Sequence, residues 1–344
     1  MQIPTFIRTL KQWVLKLISS SMYFQWKYII FQSYVYKRKY FKSVKDVRNN
    51  NQKTNNKNKR IVFLCDKKNA CGGLIDRLRA IVSIYKTCKE LNLEFNILFT
   101  DPFDLNSYLQ PNLVQWKINP NELNYNTRTT DVCFIGTPTR AKWLAEKQEE
   151  WFKKRFKKEY SEFHVISNTS YSYYYDFATL FSELFKPSPH LEKLIENQRK
   201  YLSDDYISVS CRFRDLLNDF NETCPLNLNL SVEEQEALIN KNIEQLEILH
   251  EQYPGKTILV NSDSIRFLNA AKKKEYTYII PGEIGHIDNK NTVATTLYDK
   301  VFTDFFMIAN AEHIYLFQTG FMFESGFPYA AALIYNRPFT RITF

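Results

Sequence analysis

Glycine is scarce in this chain, with eight in 344 residues. Few loops can therefore adopt a left-handed backbone without strain, and the adjacent pair Gly72-Gly73 stands out. Cysteine is sparse and unpatterned. Cys65, Cys71, Cys88, Cys133, Cys211 and Cys224 form no CxxC pair and no His-spaced ligand set, which excludes a zinc ribbon. Several lie in apolar runs, where cysteine behaves as a small hydrophobe, so all six read as reduced thiols of a cytoplasmic protein. Long apolar runs are missing from the amino-terminal region. The longest uncharged stretch there, between Lys16 and Lys27, has ten residues, three of them serine. A membrane span needs about 20 apolar residues, and a signal peptide needs a continuous apolar core before a cleavage site. Neither is present.

Acidic residues are also missing from the beginning of the chain. Residues 1–60 hold fourteen Lys and Arg against Asp46 alone, a net of +13, and the remainder carries −4. The overall +9 therefore belongs to a leader and not to a nucleic-acid-binding face on the folded body, and no nucleic-acid partner is expected. Ile3, Phe6, Ile7, Leu10, Val14, Leu17 and Ile18 recur at helical spacing with Arg8, Lys11 and Lys16 off the stripe. An aromatic and basic stretch follows from Tyr23 to Lys45, a composition suited to the headgroup layer of an anionic membrane. Residues 1–48 thus read as a basic amphipathic leader on an anionic membrane surface, peripheral on the inner face of the cell membrane. The alternative is a helical hairpin packed on the body. Residues 49–60, polar and low in complexity, read as a linker.

The remaining length suffices for two domains. Strand-like Ile61–Cys65 leads through the glycine pair to a helix from Leu74 to about Leu91 and a strand from Glu94 to Phe99. This strand–loop–helix–strand unit builds parallel sheets. Asp131–Gly136 adds a strand, and Lys142–Tyr160, Phe177–Phe185 and His190–Leu202 add helices. Further strands are expected at Tyr206–Arg212, Thr257–Asn261, Tyr276–Ile280 and His313–Phe317. Helices are expected at Thr296–Asn310, at Phe323–Tyr335 and after Ser231, which with Glu234 forms a capping box. The fold class is α/β, with two doubly wound, Rossmann-like domains facing a cleft, residues 61–200 and 201–344. Such sheets bind ligands at the carboxyl ends of their strands.

Four segments carry the chemistry. Gly72 and Gly73 let backbone approach a ligand at a helix start, with Asp76, Arg77 and Arg79 in the first turns. Ser210-Cys-Arg-Phe-Arg-Asp215 ends a strand in two arginines, which suit bidentate contact with phosphate, although a solvated charge cluster has the same composition. Asp263 and Ser264 follow the next strand, where they either meet a ribose or base edge or cap a helix. Gln318-Thr-Gly-Phe-Met-Phe-Glu-Ser-Gly326 is another strand-to-helix turn.

In this order the segments resemble the GT-B fucosyltransferases: rhizobial nodulation, plant cell-wall, protein-O- and core α-1,6-fucosyltransferases. Gly72-Gly-Leu-Ile-Asp-Arg-Leu-Arg resembles their GG-x-x-(D/N)-R-L-R signature, and Ser210–Asp215 their His-x-Arg-x-x-Asp motif, with serine in place of histidine. Asn261–Ser264 is similar to their second motif. Asp304–Ile308 and Phe317–Phe321 are similar to their third, which lines the nucleotide site in that family. The resemblance spans roughly residues 60–344 and implies an acceptor-side domain followed by a nucleotide-sugar domain. It also implies a GDP-sugar donor, a glycan or glycolipid acceptor, inversion at the anomeric carbon, and no metal or resident cofactor. No Asp-x-Asp motif of the metal-dependent GT-A kind occurs. Donor contacts implied are Gly72, Gly73, Arg77, Arg212, Arg214, Asp215, Asp263, Ser264, Thr319, Gly320 and Phe321. Arg212 would stabilise the leaving diphosphate, with Asp219 or Asp76 as general base. His286 and Asp288 are more readily read as loop braces. The other readings left open are the same fold with another nucleotide sugar, and a catalytically degenerate glycan-binding protein.

Overall fold

The computed structural model describes residues 21–44, 59–66, 72–136, 141–168, 176–220, 226, 228–285 and 295–344. The amphipathic pattern of residues 1–18, most of the linker, Cys71, Cys224, His286 and Asp288 lie outside them. The chain divides into two compact units, residues 1–101 with 114–176, and residues 102–113 with 177–344.

The first unit contains helix α1 (Met22–Ser43), strand β1 (Arg60–Cys65), helix α2 (Leu74–Glu90) and strand β2 (Glu94–Phe99). After a short strand β3 (Leu109–Pro111) that belongs to the other unit come β4 (Thr130–Ile135), α3 (Lys142–Phe156) and β5 (Glu162–Ser167). Its sheet is wholly parallel in the order β2-β1-β5-β4. Strand β1 is buried along its whole length, as a strand covered on both faces must be. Strand β5 was not expected from the sequence. Its apolar residues alternate with Glu162, His164 and Ser167, and these polar side chains are buried because partners reach them. Arg60 pairs with Glu162, whose Oε1 lies 2.6 Å from His164 Nε2, and Tyr40 Oη lies 2.8 Å from His164 Nδ1.

The structure corrects the leader. Tyr23 to Ser43 is not a detached membrane arm but the greater part of α1, which packs against β4. Tyr36 stacks on Phe134 at 4.0 Å between centroids, and the Phe134 N–H donates to Ser33 Oγ at 3.1 Å. Lys37 and Arg155 both pair with the fully buried Asp131.

The second unit continues with α4 (Phe177–Leu184), β6 (Phe185–Pro187), α5 (Pro189–Arg199) and β7 (Ile207–Cys211). It is completed by α6 (Val232–Gln252), β8 (Ile258–Ser262), α7 (Ile265–Ala271), β9 (Thr277–Tyr278), α8 (Thr295–Asn310), β10 (Ile314–Gln318), α9 (Gly326–Ile334) and β11 (Phe339–Thr343). The expected boundary at residue 200 is displaced. Strand β3 pairs antiparallel with β6, Tyr108 stacks on Phe302 at 4.3 Å, and α4 and α5 pack on α9 and α8. These contacts bring residues 102–113 and 177–200 into the second unit. Its main sheet is parallel in the order β11-β10-β7-β8-β9. Counted from β7, that is the order 3-2-1-4-5 of a Rossmann-type half, which reverses between β7 and β10. Ile207, Val209, Phe213, Val260, Phe267 and Phe317 form its core with Leu246 and Leu249 of α6. Helix α6 opens on the expected capping box, with Glu234 N–H donating to Ser231 Oγ and Ser231 N–H to Glu234 Oε2.

A chain beginning at Lys59 would lack α1, and we expect it to be insoluble or to melt well below the full chain, as a thermal scan will read. Tyr40→Phe keeps the ring but leaves the buried His164 Nδ1 without its hydroxyl partner. Urea unfolding should show a loss of about 1–3 kcal/mol. A Lys59 chain that melts like the full protein would restore the detachable leader.

Candidate functional site

By the rule for open α/β sheets, the second unit should take its ligand outside the carboxyl ends of β7 and β10. The segment after β7 holds Arg212, Phe213, Arg214 and Asp215, and the segment after β10 holds Thr319, Gly320 and Phe321. The two segments meet directly, because the Phe323 N–H donates to the Arg212 carbonyl at 2.9 Å.

Strand register decides what stands beside Arg212. Cys211 pairs with Ser262, so the next residues, Arg212 and Asp263, leave the sheet together. Asp263 is 4% exposed. Its Oδ1 accepts the Phe213 N–H at 2.8 Å, and its Oδ2 accepts the Arg214 N–H at 2.7 Å and lies 3.3 Å from Arg212 Nε. Burial pushes its carboxyl above the ordinary range, against Arg212 and the two backbone donors, which pull it down. Arg214 has φ +58°, a left-handed conformation that costs an arginine on the order of 1–3 kcal/mol and is held here by the Asp263 bond. The guanidinium carbon of Arg212 lies 5.0 Å from the Phe220 ring centroid, and that of Arg214 lies 5.2 Å from Phe323.

On the β10 side, buried Thr319 accepts from Lys241 Nζ at 3.2 Å. Gly320 has φ +56°, and a Cβ there would meet nothing within 4 Å, so this glycine answers a backbone need and leaves open space beside it. Phe321 is exposed. Behind the strand ends, Lys300 and Asn261 both bond to buried Asp304.

Several expected donor contacts are instead occupied within the protein. Asp263 holds the β7 loop. Ser264 caps α7 by accepting the Phe267 N–H and donates to Asp219 Oδ2 at 2.7 Å. Asp219 also accepts the Arg266 N–H, while its buried Oδ1 has no hydrogen-bond partner. Asp215 takes the Leu226 N–H on both oxygens and closes the following loop. Lys241 and Phe323 were not singled out from the sequence. A lone helical lysine and an aromatic residue near a turn carry no signal until the fold brings them to these loops.

The first unit has its own turn at the carboxyl ends of β1 and β5. Gly72, at φ +75°, would place a Cβ 3.1 Å from Asp76 Oδ2 and 3.6 Å from Asn168 Nδ2, so the position admits no side chain without displacement. Gly73 is the N-cap of α2. Arg77, expected to touch the donor, is 3% exposed and donates to the Gly72 carbonyl at 2.6 Å and the Asp101 carbonyl at 2.6 Å. It fastens the glycine turn to the end of β2. Asp76 is ion-paired with Arg79. Among the described residues, no three His, Cys, Asp or Glu side chains are grouped to hold a metal ion.

No protein-family profile matches the sequence, and no curated protein matches it significantly. Solved structures do match. Fucosyltransferase NodZ from Bradyrhizobium superposes with a TM-score of 0.51 at 12% identity, covering 81% of this chain and 94% of that one. POFUT1 in its apo form gives 0.52 at 13% identity, covering 85% and 99%. A mutant of Arabidopsis thaliana FUT1 in complex with GDP gives 0.50 at 11%, covering 88% and 74%. The chain is a parallel α/β protein with a Rossmann-type switch point. More particularly, it has the GT-B fold of these fucosyltransferases.

Asp263→Ala should leave the Phe213 and Arg214 amides without their acceptor. Hydrogen exchange is expected to show both amides losing protection while the β7 strand amides keep theirs. Unchanged exchange at the two amides would show that the carboxylate does not hold the loop.

Proposed function

We propose that the chain is a glycosyltransferase that moves fucose from GDP-fucose to a hydroxyl of a cell-surface glycan or lipid-linked precursor, at the cytoplasmic face of a membrane. The observation that carries this reading is Arg212 at the switch point, braced on buried Asp263 and bonded through its carbonyl to the β10 loop. The fold shared with fucosyltransferases, one of them solved in complex with GDP, supports the donor class.

The acceptor hydroxyl attacks the anomeric carbon from the face opposite the diphosphate. The new C–O bond forms as the bond to GDP breaks, GDP departs with the bonding electrons, and configuration inverts. Arg212 neutralises the charge developing on the departing diphosphate, a form of electrostatic catalysis worth about 10²–10³ in rate for one well-placed donor. Its brace fixes the guanidinium before the donor arrives, so little reorganisation is needed. Arg214, stacked on Phe323, adds a second cation to the same loop. Asp76 is ion-paired with Arg79, and Asp219 accepts from Ser264 and Arg266 on Oδ2 while its Oδ1 has no hydrogen-bond partner. The mechanism rests on leaving-group stabilisation, with the hydroxyl proton passing to Asp219 or Asp76 as general base or to the released diphosphate. No metal ion enters it.

GDP should raise the melting temperature of the protein while UDP and CMP leave it unchanged; a ligand at 100 times its Kd adds about 2.7 kcal/mol. Arg212→Ala is expected to fold, to bind GDP more weakly and to lose transfer at least about 100-fold in a mass-spectrometric assay with GDP-fucose. Transfer should persist in excess EDTA. Near-normal turnover by a stable Arg212→Ala protein would overturn the assignment of the leaving-group contact, and rescue of a chelated enzyme by Mn²⁺ would overturn the metal-free mechanism.

A further inference from the structure

Helix α1 has two unlike faces. Ile29, Ser33 and Tyr40 are buried on the side toward the sheet, whereas Tyr23, Phe24, Phe31 and Tyr34 are each more than half exposed. The outer residues follow the helical repeat: Phe24, Phe31 and Arg38 recur every seventh position, with Lys27 and Tyr34 between them. Lys27 Nζ lies 5.3 Å from the Tyr23 ring centroid, and the guanidinium carbon of Arg38 lies 4.7 Å from that of Tyr34. The helix contains no Asp or Glu, and neither do residues 1–21 before it. Scattered exposed hydrophobes need no explanation, but a contiguous stripe of large rings marks a contact surface.

The packing also gives the stripe a direction. Ser33 bonds at Phe134, and Lys37, four residues on, pairs with Asp131, three residues back. Helix and strand are therefore antiparallel. Met22 precedes Ser33 by about 16 Å of helix at 1.5 Å per residue. That length carries the amino end of α1, with exposed Met22, Tyr23 and Phe24, beyond the carboxyl end of β4. The Gly72 turn and Asn168 lie at the same end of this sheet.

We propose that the outer stripe of α1 is a docking surface for an anionic lipid bilayer, with its amino end leading, and that docking turns the Gly72 end of the first unit toward the membrane. Aromatic rings paired with cations match the headgroup layer, where the rings enter the interface and the ammonium and guanidinium groups meet lipid phosphates. A second copy of the chain fits less well, because a two-fold contact would set a stripe whose charges are all positive against itself. A duplex nucleic acid would use the cations but would offer the rings of Phe24 and Phe31 no apolar layer to enter. The inference deepens the proposed function, on which it rests only for the acceptor: of the two acceptor classes, it selects the lipid-linked one. The membrane contact is thus rigidly part of the unit and not a tether joined to it.

The test uses the full chain, floated at physiological salt with vesicles of phosphatidylglycerol and phosphatidylcholine, or of phosphatidylcholine alone. Wild type should float with the anionic vesicles only. The Phe24→Ser/Phe31→Ser/Tyr34→Ser variant should bind them about tenfold more weakly, with an unchanged melting temperature and an unchanged response to GDP. Equal flotation of variant and wild type, or equal binding to both vesicle types, would overturn the proposal. So would a wild-type dimer that the variant converts to monomer while neither floats. The GDP response, read on the same samples, separates failure of the docking surface from failure of the donor assignment.

Discussion

A buried carboxylate at the end of β8 takes the Phe213 and Arg214 N–H groups and the flank of Arg212, and the candidate site depends on that grip. The grip follows from register. Parallel pairing of Ile207–Cys211 with Ile258–Ser262 delivers Asp263 alongside the chain leaving β7. A slip of one residue would turn the carboxylate to the other face of the sheet. With Asp263 in place, Arg214 can occupy its left-handed conformation and the Arg212 carbonyl can receive the Phe323 N–H. Loops from two strands are thereby held together before any ligand binds.

The first unit solves the same problem with the opposite charge. Arg77 is buried beneath the glycine turn and fastens it through the carbonyls of Gly72 and Asp101. In both units a charged residue of ligand-binding type is used to shape backbone. Buried charged groups persist only when hydrogen-bonded in this way.

The alternation of strand and helix was legible because strands buried on both faces read as continuous apolar runs, as Ile61–Cys65 does. The Ser231–Glu234 capping box marked the start of α6. Strand β5 was hidden by Glu162 and His164, whose burial requires Arg60 and Tyr40, residues distant in sequence. Strand β11 was hidden because Thr340, Arg341 and Thr343 are exposed on an edge. The domain boundary was missed because three-residue strands β3 and β6 carry no periodicity. The strand-end position of Arg212 and the positive-φ turn at Gly72 could be read from their motifs, each in its own unit. The work of Asp263, Ser264 and Arg77 could not, since an acid, hydroxyl or guanidinium near a strand end looks the same whether its partner is ligand or backbone. The leader misled because its aromatic and basic composition suits both faces of α1 at once.

The position of β4 at the border of its sheet gives α1 a further consequence. A border strand offers unpaired N–H and C=O groups to any passing chain, and proteins block such borders to avoid self-association. Here Ser33 takes the Phe134 N–H, while the paired charges of Lys37, Arg155 and Asp131 break up the apolar surface. The helix is made before its strand, so β4 meets its cover ready-made, whereas a chain that has lost the helix leaves the Phe134 N–H and ring bare. At this border the guard is one helix, and damage to it would be felt first as lost solubility rather than lost chemistry.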